Sequence, residues 1–323
     1  MRWIAHKFGG SSVANAARYQ TVARLMAARP DEAQVVVVSA MQGVTDTLIG
    51  LTRTAAAKGD WSLQMAALKQ RHLDTAQEWF AHDYVPFDQG ENFAFLGGKD
   101  WTPDQQTLPQ PVVDALEILL VTKDNLAGYH RELVEHFILE WKWGRFLGRW
   151  TAEEHLHAIA LRNYLVVTRN FDPTANEDVR VDHVQNKGYR ASEFTQIETL
   201  VFMAFFERTH AVFCRRLAER IDEPALKSLV EHIATDEERH ELFFSNLVRW
   251  CLSYDEEATV GAVARRAAAL QPVGADINAY QGKVANVAEA GIFGPEQLRA
   301  VISDEITALG LDGRAELRKF ISA

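Results

Sequence analysis

The segments Glu154-His155-Leu156-His157 and Glu237-Glu238-Arg239-His240, about 80 residues apart, constrain this chain more than any other feature. Each spells Glu-x-x-His within a long helical pattern. On an α-helix, residues three apart share a face, so Glu154 with His157, and Glu237 with His240, can each offer an oxygen and a nitrogen to one cation. Two such helices facing each other, with a carboxylate from each of two more, make an interior two-metal site. Mixed carboxylate and imidazole ligation suits iron or manganese better than a thiolate-loving metal. A lone Glu-x-x-His arises by chance about once in a chain of this composition, and Glu207-Arg208-Thr209-His210 is a third instance. The weight therefore lies in the arrangement. Glu207 falls on an intervening helix, about 193 to 220, whose one face is otherwise apolar (Leu200, Phe202, Met203, Phe206, Phe213). An ionised carboxylate there is expensive unless it is paired or metal-bound. Solvent-facing charges or buried ion pairs are the competing reading of these acids and histidines. For His155 and His210 the preference reverses, toward orienting ligands, packing or facing solvent.

Composition narrows the partners. The formal net charge of −10, without a long Lys/Arg run, disfavours nucleic acid, which needs a basic face. No apolar stretch approaches the roughly 20 residues that span a bilayer. The start, Met1-Arg2-Trp3-Ile4-Ala5-His6-Lys7, lacks the apolar run and cleavage site of a secretory signal, so the cytoplasm is the expected compartment. Cys214 and Cys251 are far apart and outside any CxxC, which supports neither a disulfide framework nor a zinc knuckle.

The two ends of the chain read differently. From Trp3 to about Leu51 a short strand, the turn Gly9-Gly10-Ser11-Ser12, a helical stretch from Ala14 to Ala28 and the run Val35 to Val38 suggest an α/β layout with a parallel sheet. After a Gly-, Pro- and Asp-rich loop from Pro86 to Pro109, amphipathic helical patterns dominate. Residues 1–71 and 72–323 are therefore separate units, with the seam within Arg71-His72-Leu73-Asp74-Thr75-Ala76. The first unit, through Lys7-Phe8-Gly9-Gly10-Ser11-Ser12-Val13 and Val38-Ser39-Ala40-Met41-Gln42-Gly43-Val44-Thr45-Asp46, resembles the opening of aspartate kinases of the amino-acid kinase family. The resemblance implies phosphate binding by Lys7, Gly9, Gly10 and Ser11, and small residues beside a helix start suit an anion. The family's later strands and nucleotide loops are missing after Asp60, so a truncated, non-catalytic fragment, joined as a chimera, is the expectation.

From His72 onward the chain resembles an actinobacterial-type acyl-carrier-protein desaturase. The resemblance is carried by His82-Asp83-Tyr84-Val85-Pro86, Asp124-Asn125-Leu126 with Tyr129-His130-Arg131-Glu132, Trp150-Thr151-Ala152-Glu153-Glu154, Tyr164-Leu165-Val166-Val167-Thr168 and Asp236-Glu237-Glu238-Arg239-His240. It implies a mainly α fold, a ferritin-like di-iron helical bundle, with the ligands Glu154, His157, Glu207, Glu237 and His240. A sixth ligand is missing. Where the family has Glu, this chain has Lys123, and a protonated ammonium has no lone pair to give. Lys123 directed at Glu207 or Glu154 would stand in for one metal. Asp124, about 100° round the helix, is a poor rescue ligand.

The resemblance further implies two ferrous ions in a competent site, or one iron or manganese ion or none if Lys123 blocks it. It also implies dioxygen-dependent introduction of a double bond into a fatty acyl chain, acyl-carrier protein and a ferredoxin-type electron donor as partners, and a homodimer. Phe137, Phe202, Phe205 and Phe206 are channel candidates, and Arg215, Arg216, Arg220 and Lys227 form a candidate docking patch. Two other functions compete: a non-catalytic acyl-chain or carrier-protein binder, and, remotely, an aspartate kinase.

Overall fold

The computed structural model describes residues 3–14, 16–28, 33–60, 62, 65, 68, 79–138, 141–191 and 193–321. The chain divides into two compact units, Met1–Trp79 and Phe80–Ala323. The seam expected at 71–76 lies outside the described residues.

In the first unit, β1 (Trp3–Phe8) and β2 (Ala33–Val38) pair in parallel, from Trp3 opposite Ala33 to Phe8 opposite Val38. Between them runs α1 (Ala16–Ala27), and α2 (Val44–Ala56) follows β2. Met41, Val44, Leu51 and Leu68 form a small buried cluster. The α/β layout read from the alternating patterns is present. Gly9 and Gly10, however, lead into the 3-10 turn Gly10–Val13, while the α-helix begins at Ala16. The glycines thus do not open a long helix whose amide groups face an anion, and Lys7 is an exposed residue of β1.

The second unit is built around α3 (Gln110–Asp124), where every residue from Val112 to Lys123 is buried. A helix enclosed on all sides must pair any polar group it carries. Asp114 accepts from Lys283 Nζ (3.1 Å) and Asn286 Nδ2 (3.0 Å), and Glu117 from Lys283 Nζ (2.5 Å). Around α3 lie α4 (Leu126–Phe137), α5 (Trp141–Val167), α6 (Pro173–Asp182), α7 (Gln196–Ala218) and α8 (Pro224–Tyr254). Then come α9 (Glu256–Ala269), α10 (Gln281–Glu289) and α11 (Pro295–Ala308). Helix α3 packs on α5, α5 on α8, and α8 along α7, so these four form the bundle; α9 and α11 flank α7.

Sequence fixes where these helices start. Asp172 caps α6 through the Thr174 and Ala175 amides, with Pro173 in the first turn. Thr195 and Glu198 make a reciprocal capping box on α7. Glu223 accepts from the Ala225 and Leu226 amides to open α8. Gly274 has φ +82°, and a Cβ there would meet Ile118 Cγ2 of α3 at 2.6 Å. Glycine is required at that approach.

Glu305 of α11 is fully buried. It accepts from Ser245 Oγ of α8 (2.6 Å) and faces Arg208 Nε of α7 (3.4 Å). Burial is the main cause that pushes its carboxyl from 4.5 up to about 7. A raised acid favours the folded state while protonated, so this stabilisation is complete below the unfolded value and is lost as pH rises through about 7. Glu305→Gln removes the titration and keeps an acceptor for Ser245. Its melting temperature should therefore fall less than that of the parent between about pH 5 and about pH 8. Parallel melting profiles across that range would contradict this assignment.

Candidate metal centre

Five side chains singled out by spacing meet inside the bundle. Glu154 and His157 come from α5, Glu207 from α7, and Glu237 and His240 from α8; all are buried. One ligand atom each from Glu154, Glu207, Glu237 and His240 lies within 4.8 Å of the others. His157 Nδ1 stands 3.0 Å from Glu237 Oε1 and 3.4 Å from Glu154 Oε1.

The outer nitrogens of both histidines are held by carboxylates. His157 Nε2 is 3.3 Å from Asp236 Oδ2, and His240 Nε2 is 3.0 Å from Glu153 Oε2. Asp236 is in turn held by Arg239 (2.8 Å) and Glu153 by Arg149 (2.5 Å). Such outer carboxylates orient ligating imidazoles and raise their basicity. Trp150, fully buried, donates from Nε1 to Glu207 Oε1 (2.8 Å) and fixes that carboxylate. Asp236, Glu153 and Trp150 were not singled out from sequence. The signal was there: an acid precedes both Glu154 and Glu237, and Trp150 lies one helical turn before Glu154.

The structure gives Lys123 a definite place. Its Nζ, in the last turn of α3, is 2.7 Å from Glu154 Oε2 and 2.6 Å from Glu237 Oε1. The expectation of a contact with Glu154 is met, but the second partner is Glu237 and not Glu207. Burial works against the ammonium, but the charges of Glu154, Glu237 and Glu207 outweigh it and raise the group above its usual value. Lys123 is thus a cation in the bundle interior. Asp124, the poor rescue candidate, pairs with Arg162. His155 is exposed, while His210 is buried behind Glu237.

Do these residues fit metal? Among the described residues, Glu154 Oε1, Glu207 Oε2, Glu237 Oε2 and His240 Nδ1 are buried without a hydrogen-bond partner. They belong to the same four residues whose ligand atoms converge. Glu207 is pushed up to about 8 by burial, against the opposing effect of His240 Nδ1 at 3.6 Å, with the charges of Glu154 and Glu237 adding to the rise. The same carboxylates hold His157 and His240 in their charged forms, His157 pushed up to about 10, so a divalent ion bound here would take the place of imidazole protons. A second ion would need the place, between Glu154 and Glu237 and beside His157, that Lys123 Nζ fills. The residues fit a divalent metal.

Beside the centre lies a cavity of about 320 Å³, lined by Tyr129, Tyr189, Phe202, Phe206 and His210 among others. Of the four channel candidates it includes Phe202 and Phe206; Phe205 is core, and Phe137 packs on Trp143.

Comparison with known proteins identifies the fold and family. A family model described as fatty acid desaturase matches residues 61–319. The chain belongs to this family. A Mycobacterium tuberculosis protein whose name describes it as an acyl-[acyl-carrier-protein] desaturase, DesA2, is 68% identical over 252 residues, 78% of this chain and 91% of that protein. A second protein from that organism, DesA1, with the same description, is 31% identical over 233 residues, 70% of this chain and 69% of its own length. The X-ray structure of DesA2 superposes with a TM-score of 0.68 at 55% identity, over 85% of this chain and 99% of that one. The chain is an acyl-carrier-protein desaturase homologue, in an oxidoreductase family, with the di-iron desaturase fold. These relatives give no support to an aspartate kinase origin for residues 1–71, or to a chimera, and that reading is not carried further. Among the described residues no helix is long and apolar enough to cross a membrane.

Replacing Lys123 with Met keeps an unbranched side chain one atom shorter and removes its charge. Glu154 and Glu237 then keep His157 Nδ1, 3.4 and 3.0 Å away, but lose the ammonium, and breaking such a buried pair costs about 3–5 kcal/mol. Metal-free Lys123→Met should unfold at lower denaturant than the metal-free parent, and added Mn2+ should restore more stability to the variant than to the parent. Equal midpoints for the two metal-free proteins would mean that the ammonium is not the neutralising charge.

Proposed function

We propose that this chain acts on an acyl chain delivered by acyl-carrier protein, as an acyl-carrier-protein desaturase whose centre holds one divalent metal, iron or manganese, beside the Lys123 ammonium. Glu154, Glu207, Glu237 and His240 would hold that metal. The observation that carries this reading is Lys123 Nζ between Glu154 and Glu237, where a second metal would need the same oxygens. Bound iron supplies the electron-transfer and dioxygen chemistry that no side chain possesses.

The chain's own residues prepare the place. Trp150 orients Glu207, while Asp236 and Glu153 set the ring planes of His157 and His240. Phe206 stands between the charged centre and the cavity, its ring centroid 5.9 Å from Lys123 Nζ. An acyl chain in that apolar cavity would lie alongside the carboxylates and exclude water from them. A ferredoxin-type donor and homodimerisation belong to the same reading. The basic docking patch shrinks: Arg215 pairs with Glu238, and Arg216 donates to the Gly291 and Ile292 carbonyls.

The ammonium also favours a second reading, in which the chain binds an acyl group or carrier protein without oxidising it. Metal content and product analysis of the parent and Lys123→Glu separate the two. The parent should hold about one metal per chain and Lys123→Glu about two, since the substitution completes the carboxylate set of a two-metal bundle. Double-bond formation by the parent with a reductase and dioxygen supports the enzyme. Its appearance only in Lys123→Glu supports the binder. Identical metal content in both proteins would remove the geometric basis of either reading.

A further inference from the structure

The wall of the cavity beside the centre is not uniformly apolar. His210 of α7 lines it, is only 2% exposed, and packs edge-on against Phe206 with ring centroids 4.0 Å apart. Its Nδ1 is 3.9 Å from Glu237 Oε2, beyond hydrogen-bonding reach, and has no hydrogen-bond partner among the described residues. The Tyr189 hydroxyl, on a ring that lines the same cavity, is likewise buried and unpartnered among the described residues. Two further hydroxyls in the wall are already committed: Thr122 Oγ1 donates to the Ile118 carbonyl (2.8 Å) and Thr209 Oγ1 to the Phe205 carbonyl (2.6 Å).

A cavity meant for plain hydrocarbon gains nothing from this. A buried donor or acceptor left unmatched is costly, and a methylene cannot relieve it. A neutral imidazole offers one donor and one acceptor, and a phenol offers both, so either can bond an oxygen carried by the ligand. His210 also lies at the inner end of the wall, next to Glu237. An oxygen that met it would sit on the part of the chain that passes the centre.

We propose that this cavity takes an acyl chain bearing an oxygen substituent, hydroxyl or keto, on the stretch that passes the metal centre, and that His210 is the specificity-determining residue that recognises it. The inference rests on the acyl reading of the cavity given above. It goes further in naming the substrate's chemistry: the chain arrives already oxygenated, so a hydroxylating, hydrating or ketoacyl-forming reaction must precede this one. Discrimination of this kind is strong where a site is built to bond a group, because the analogue that lacks it leaves buried polar atoms unmatched.

The test compares the stearoyl and mid-chain hydroxystearoyl thioesters of pantetheine, by calorimetry, on the full-length parent, His210→Phe and His210→Asn. The parent should bind the hydroxylated chain about tenfold more tightly, the value of one well-placed hydrogen bond. His210→Phe should lose that preference while still binding stearoyl, and His210→Asn, which keeps a donor and an acceptor, should retain part of it. Equal binding of both chains by the parent overturns the inference and leaves the acyl reading intact, with water satisfying the ring. A preference that survives in His210→Phe also overturns it. Binding of neither thioester by the parent removes the acyl reading of the cavity, and this inference with it. The parent comparison needs no variant, so the proposal stays exposed even if His210→Phe fails to fold.

Discussion

Lys123 joins three bundle helices through one buried charge. Its ammonium, carried by α3, touches Glu154 of α5 and Glu237 of α8 at hydrogen-bonding distance. Without a cation at that point, three buried carboxylates would have only the two histidines between them, and like charges so placed disfavour one another's ionised forms. The interaction therefore decides how much charge remains for metal, which oxygens are free to bind it, and whether the bundle can close before metal arrives. A structural consequence follows from the length of the side chain. Lysine extends its charge far enough from α3 for the helix to stay fully enclosed, while Asp124, the next residue, turns its carboxylate to Arg162.

Around that charge the histidines are arranged with near-symmetry. The acids preceding Glu237 and Glu154 reach across to the histidine of the opposite helix: Asp236 of α8 to His157 of α5, and Glu153 of α5 to His240 of α8. The two helices therefore brace each other's imidazoles. Rotation of either about its axis would disturb ligands on both, so the centre acts as a register lock for α5 and α8.

The legible part of this site was what depends on local geometry. Glu-x-x-His spacing is a property of one helix, so Glu154, His157, Glu237 and His240 could be placed from sequence, and Glu207 stood out as an acid on an apolar face. The departure at Lys123 was also visible, because charge type is a property of one residue. Choosing Glu237 over Glu207 as its second partner was not, since that depends on the rotation of α8 against α3, set by packing across the whole bundle. The partner of Asp124, Arg162, lay beyond sequence reasoning for the same reason. In the first unit the alternating pattern correctly indicated a parallel strand pair, but similarity to a phosphate-binding turn did not decide whether the glycines meet a helix end. A 3-10 turn intervenes.

The enclosure of Lys123 has one more consequence, at the level of the gene. Lysine and glutamate codons differ at their first base alone, and both side chains are long and unbranched enough for the same interior slot. A single transition therefore separates an ammonium-filled centre from one with its carboxylate set complete.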